Sequence, residues 1–186
     1  MIHSENIKLY ISFYEEKIKL AESYAKLRKM GMVRSTMKEV VEGLVDLIWK
    51  TETNGESKKN DLIKSLSKNG YTLEFQVDRH LYSDDGIMKT IVECKTYLDR
   101  DMMQRAAFDF NRIVSSVDIK PKTIILALQD AVGDDAYTYH MDGGDIDKIF
   151  YLCDGKRDPK KPIWKTEFYK PINEDKLIEF INYIKQ

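Results

Sequence analysis

Residues 71–104, YTLEFQVDRHLYSDDGIMKTIVECKTYLDRDMMQ, constrain the fold more than any other stretch of the chain. Two runs rich in β-branched and aromatic residues, 71–82 and 87–95, flank the polar tetrapeptide Ser83-Asp84-Asp85-Gly86. That composition predicts two strands joined by a tight turn. If Ser83 pairs with Gly86, Tyr82 stands opposite Ile87 and Asp78 opposite Ile91. Side chains alternate faces along a strand, so Glu93 and Lys95 share a side. Asp78 shares it too and lies diagonal to Glu93. A slip of one residue sends Asp78 to the opposite face.

Two carboxylates beside an ammonium suit a hard divalent cation, which takes one or two carboxylates and substrate phosphate oxygens. A Glu-x-Lys triplet alone describes an ordinary exposed strand equally well. The wider series is more specific. Val77-Asp78-Arg79-x-x-Tyr82, a polar turn, and Ile91-Val92-Glu93-Cys94-Lys95-Thr96 together resemble the PD-(D/E)XK nuclease superfamily. That group includes type II restriction endonucleases and RecB-like nucleases. Asp78 matches its first acidic position, Glu93 the second and Lys95 the lysine. Val77 stands where the family pattern has proline. In RecB-like members a helix after the lysine carries a glutamine followed four residues later by an aromatic, and Gln104 and Phe108 occupy those places.

The resemblance implies a Mg²⁺-dependent endonuclease, with Mn²⁺ as a possible substitute, that cleaves DNA to leave 5′-phosphates. Asp78, Glu93 and the backbone carbonyl of Cys94 would hold the metal, and Lys95 would position the attacking water. A helix before the hairpin commonly supplies a further acid, and Glu42 is the candidate. A compact chain without helicase or ATPase motifs looks most like a type II restriction endonuclease. Such an enzyme acts as a homodimer on double-stranded DNA and has a cognate methyltransferase in the same host. Two alternatives remain open: a catalytically silent DNA-binding or assembly module of the same fold, and a repair or structure-specific nuclease.

The 186 residues fit one domain, with a helical part at 5–68, the hairpin and core at 71–153, and a loop and helix at 154–186. A hydrophobic content of 42% with 33% charged residues excludes a disordered chain. The net charge of −1 supplies no global basic field, so a DNA-binding face must gather its cations locally. The N-terminus lacks the basic and apolar regions of a signal peptide, and the longest apolar run, 124–128, is strand-sized, so a cytoplasmic protein with no membrane partner is expected. Two cysteines, Cys94 and Cys153, form neither a disulfide framework nor a zinc spacing. The Cys94 side chain faces away from Glu93 and Lys95 and is expected to pack.

Helical apolar spacing runs over 6–29 and ends at Gly31. A second helix is predicted from Thr36, where Thr36-Met37-Lys38-Glu39 has the form of a capping box. Glu42 borders its apolar stripe, while Glu39 faces water. Residues 50–59 are expected to form a polar loop and 60–67 a short helix. A helix over 99–115 carries Gln104 and Arg105, which either reach a phosphate or are merely solvated. The apolar run 122–129 predicts a buried central strand, and 148–153 another. The Asp- and Gly-rich stretch 130–147 lacks the order of an EF-hand. Lys156, Arg157, Lys160 and Lys161 in 154–165 form the strongest local basic patch, with Trp164 alongside, and either clamp phosphates or line a solvated loop. An amphipathic helix closes the chain at 172–185. His80 shares the face of Asp78 and either edges the site or serves structure. These elements add up to an α/β (α+β) fold, a mixed sheet of about four to five strands flanked by helices, and the resemblance implies a restriction-endonuclease-like core.

Overall fold

The computed structural model describes residues 2–66, 69–132, 144–158, 162, 165 and 169–186. Two antiparallel-packed helices, α1 (Ser4–Lys26) and α2 (Met30–Glu52), begin the chain. The break between them falls at Arg28, whose φ of 53° is left-handed, and not at Gly31. The second helix therefore starts six residues before Thr36, which is buried within it. The reason is burial: Val33 and Met37 extend the stripe of Val40, Val41, Leu44, Val45 and Ile48 by more than a turn, and packing outweighs a local cap.

The main sheet has five strands in the order β1 (Glu56–Lys59), β4 (Arg79–Tyr82), β5 (Met88–Leu98), β6 (Lys122–Asp130) and β7 (Lys148–Tyr151). β1, β4 and β5 pair antiparallel, while β5, β6 and β7 run parallel. Helix α3 (Arg100–Val114) connects β5 to β6, and α4 (Glu174–Lys185) closes the chain. Among the described residues this is a mixed α+β fold with a five-stranded sheet and four flanking helices. No helix of the described residues is long and apolar enough to cross a membrane.

Three expectations are corrected. Residues 56–59 are not loop but an edge strand, whose lysines protect an exposed ladder from pairing with another chain. The stretch 63–66 is not helix but β2 (Ile63–Leu66), paired with β3 (Thr72–Phe75) in a separate ribbon. Consequently 71–82 is not one strand. The chain leaves the ribbon after Phe75 and enters the main sheet only at Arg79. Ile63 and Phe75 dictate this split, because both pack on the α3 side and Phe75 meets Phe108 edge-on at 6.2 Å.

Two apolar layers sandwich the sheet. On one face Leu81, Val92, Cys94, Ile124, Leu126 and Phe150 pack against α1, α2 and α4. On the other, Ile91, Ile125 and Ala127 pack against Met103, Ala106, Phe110 and Ile113 of α3. Asp99 caps α3 by accepting the Met102 N–H at 2.8 Å. A tighter constraint lies where α2 passes into β1. A Cβ on Gly55 would fall on the Tyr82 carbonyl oxygen and on Trp49 Nε1, which hydrogen-bond each other at 3.1 Å. Gly55→Ala is expected to destabilise the protein by about 2 kcal/mol, seen as a lower urea midpoint at unchanged slope.

Candidate active site

β5 outlasts its neighbour. β4 pairs only as far as Val92, so the edge of β5 from Glu93 onward is open on that side. Asp78, one residue before β4, fills the first gap: its Oδ2 accepts the Cys94 N–H at 2.9 Å, and its own N–H points to Glu93 Oε2 at 3.4 Å. Asp78 is thus opposite Glu93 instead of diagonal to it. The hairpin register accounts for the difference, because Arg79 pairs with Val92 and His80 with Ile91.

Lys95 projects from the same face as Glu93. Its ammonium touches Glu93 Oε1 and lies 3.6 Å from Asp78 Oδ2. Burial works against the Lys95 charge, but the Glu93 and Asp78 carboxylates outweigh it and hold the ammonium above the usual lysine range. Burial, reinforced by the Asp78 charge and opposed by Lys95, raises the Glu93 carboxyl above its ordinary value. The Cys94 side chain turns to the opposite layer, where burial and the surrounding carboxylates keep the thiol protonated.

Glu42 joins this group from α2. It is 1% exposed, and Lys59 of β1 lies 2.7 Å from its Oε2. Neither oxygen accepts a well-directed hydrogen bond among the described residues, so ion pairing alone balances the charge. Lys38, one turn before Glu42, stands 3.5 Å from Glu42 Oε1 and 3.8 Å from Asp78 Oδ1. The groups form an alternating row: Glu42, Lys38, Asp78, Lys95, Glu93. Lys38, Asp78, Lys95 and Tyr97 line a recess of about 240 Å³ that opens to solvent.

The other expected residues lie at varying remove. Gln104 and Arg105 are exposed on α3, in a separate hollow with Phe108 and Asp109. Asp109 is linked to the site electrostatically: burial raises its carboxyl, and the Lys95 charge pulls it back. Lys156 is exposed beside the end of β6. Arg157 is buried instead, 4.9 Å above the Tyr97 ring and 3.3 Å from Gln129 Oε1, so its guanidinium is engaged within the protein. Lys160, Lys161 and Trp164 lie outside the described residues. His80 is fully buried on β4, between Lys58 of β1 and Ile91 of β5, with no hydrogen-bond partner for either ring nitrogen among the described residues. Sequence reasoning missed Lys38 and Lys59. The spacing of Lys38 four residues before Glu42 was the available signal for the first.

All-oxygen donors converge at the open edge of β5. The N–H and C=O of a strand residue leave on the same edge, so the Cys94 carbonyl faces the side on which Asp78 takes its N–H. Among the described residues no three His, Cys, Asp or Glu side chains form a cluster that could hold a metal ion. The set is two carboxylates and a backbone carbonyl, which fits a hard cation that keeps several waters.

The chain is similar to a type II restriction enzyme. It is 25% identical over 148 residues to the type II restriction enzyme DdeI of Desulfomicrobium norvegicum, covering 72% of this chain and 60% of that enzyme. The chain therefore spans less than two thirds of the length of this relative. No protein-family model matches it. The mixed five-stranded sheet with its flanking helices is consistent with a restriction-endonuclease-like fold.

Proposed function

We propose that the protein is a Mg²⁺-dependent endonuclease of the PD-(D/E)XK type, acting on double-stranded DNA as a type II restriction enzyme. The observation that carries this reading is the meeting of Asp78, Glu93 and Lys95 at the unpaired edge of β5. The similarity to a type II restriction enzyme supports it independently. Asp78, Glu93 and the Cys94 carbonyl would hold the metal, and Mn²⁺ would substitute. When bound, the ion supplies charge that polarises a phosphoryl oxygen and acidifies a water.

The Glu93 and Asp78 carboxylates outweigh burial and favour the Lys95 ammonium, a hydrogen-bond donor that lines the recess. That ammonium orients the attacking water and stabilises charge developing on the phosphoryl oxygens. Water oxygen bonds to phosphorus and gives up a proton to solvent, the bond from phosphorus to the 3′-oxygen breaks, and that oxygen takes a proton from a solvent water. The products are a 5′-phosphate and a 3′-hydroxyl. A homodimer follows from the two-fold symmetry of duplex sites, and a companion methyltransferase would protect host DNA.

The test is incubation of supercoiled plasmid with purified protein in Mg²⁺, in EDTA, and with Lys95→Ala, followed by sequencing of the ends. Discrete ends that require metal and vanish with Lys95→Ala are expected. Intact plasmid under every condition, with DNA still bound, would instead identify a silent binding module.

A further inference from the structure

Ion pairs link three carboxylates, Glu42, Asp78 and Glu93, to three lysines, Lys38, Lys59 and Lys95. The three lysines are not equivalent. Lys95 is mostly buried and in contact with Glu93, and Lys59 holds Glu42 at 2.7 Å. The Lys38 side chain is 59% exposed and bridges Glu42 and Asp78 at 3.5 and 3.8 Å, which is ion-pair range without close hydrogen bonding. It stands at the mouth of the recess, on a helix whose buried stripe anchors Glu42 but leaves Lys38 outside.

We propose that Lys38 is a positioning residue that occupies the carboxylates as an internal counter-ion, gives way to the divalent cation, and then binds a DNA phosphate. The inference rests on the nuclease reading above. An ammonium and a metal ion compete for the Asp78 lone pairs, and the half-exposed Lys38, 3.8 Å from Asp78 Oδ1 without a close hydrogen bond, is the partner free to move aside. Displacement from Asp78 leaves the ammonium on a flexible four-carbon stem beside the recess, with Glu42 as its remaining partner here. The ion also adds two positive charges to the recess lined by Lys38, Asp78 and Lys95. Metal loading thus makes the recess more attractive to phosphate, and Lys38 carries part of that attraction to the surface. DNA binding at the cleavage site becomes conditional on the metal.

The experiment measures Mn²⁺ affinity by the paramagnetic resonance signal of the free ion, without DNA. Wild type, Lys38→Met, Lys38→Arg and an Asp78→Asn control are compared. Loss of the competing charge should tighten Mn²⁺ binding in Lys38→Met about fivefold, while Lys38→Arg stays near wild type. Binding of a labelled duplex, followed by fluorescence anisotropy in Mn²⁺ with cleavage suppressed by Lys95→Ala, should show a salt slope smaller by about one in Lys38→Met. Urea unfolding checks that Lys38→Met is folded, with a lowered midpoint expected because Glu42 keeps Lys59 as its remaining ion-pair partner among the described residues. Unchanged or weaker Mn²⁺ binding in Lys38→Met, with wild-type binding still abolished by Asp78→Asn, overturns the role of Lys38 alone. A wild-type protein that binds no Mn²⁺ overturns both this role and the nuclease reading.

Discussion

Asp78→Asn is expected to slow metal-dependent DNA cleavage about a thousandfold while leaving the fold intact. Asparagine keeps the size of the side chain and an oxygen that accepts the Cys94 N–H, the bond that ties the start of β4 to the edge of β5. It removes the negative charge that faces Lys95 and Lys38 and that would hold the cation. Asp78→Ala is a different experiment. It strands the Cys94 N–H beside a buried residue and should cost about 1–3 kcal/mol of stability on top of the lost activity. Single-turnover cleavage and urea unfolding of both variants separate the chemical from the structural role. Asp78→Asn cleavage within about tenfold of wild type would remove this carboxylate from the metal set.

Acidification is expected to remove about 3 kcal/mol of stability through His80 alone. Burial lowers its pKa from 6.5 to about 4, with Asp61 opposing the shift and Lys58 adding to it. The unfolded chain takes the proton near 6.5, the folded one only near 4. Between those values the unfolded state binds more protons, so stability is complete above the upper value and falls as the pH approaches the lower one. His80→Leu fills a similar volume without a titrating group and without two unpartnered ring nitrogens. Urea unfolding from pH 7 to pH 4 should therefore show a drop about 3 kcal/mol shallower in the variant. Equal slopes for the two proteins would place the imidazole in contact with water.

Asp78 reaches the face of Glu93 by two offsets in register that cancel in parity. The turn after Tyr82 is one residue longer than a two-residue hairpin: Ser83 donates to the Ile87 carbonyl, and Gly86 takes a φ of 78°. A bulge between Leu81 and Tyr82 shifts the register once more. Either change alone would have turned Asp78 to the opposite face. Together they move it two residues along, which preserves the face and brings it level with Glu93. The ribbon of β2 and β3 was not legible, since Phe75 and Ile63 gain their burial only against Phe108 and the rest of the α3 layer.

What the sequence determined by itself is the class of the fold, the shared face of Glu93 and Lys95, and the layers that bury the sheet. Those follow from periods of two and of 3.6, which any short window contains. Tertiary structure decided where α2 begins, that Glu42 is buried while Lys38 is not, and that β4 starts only at Arg79, opposite Val92, to leave an edge of β5 for Asp78. Each of these depends on groups far apart in the chain that compete for the same space or the same charge. No local pattern records the outcome of that competition.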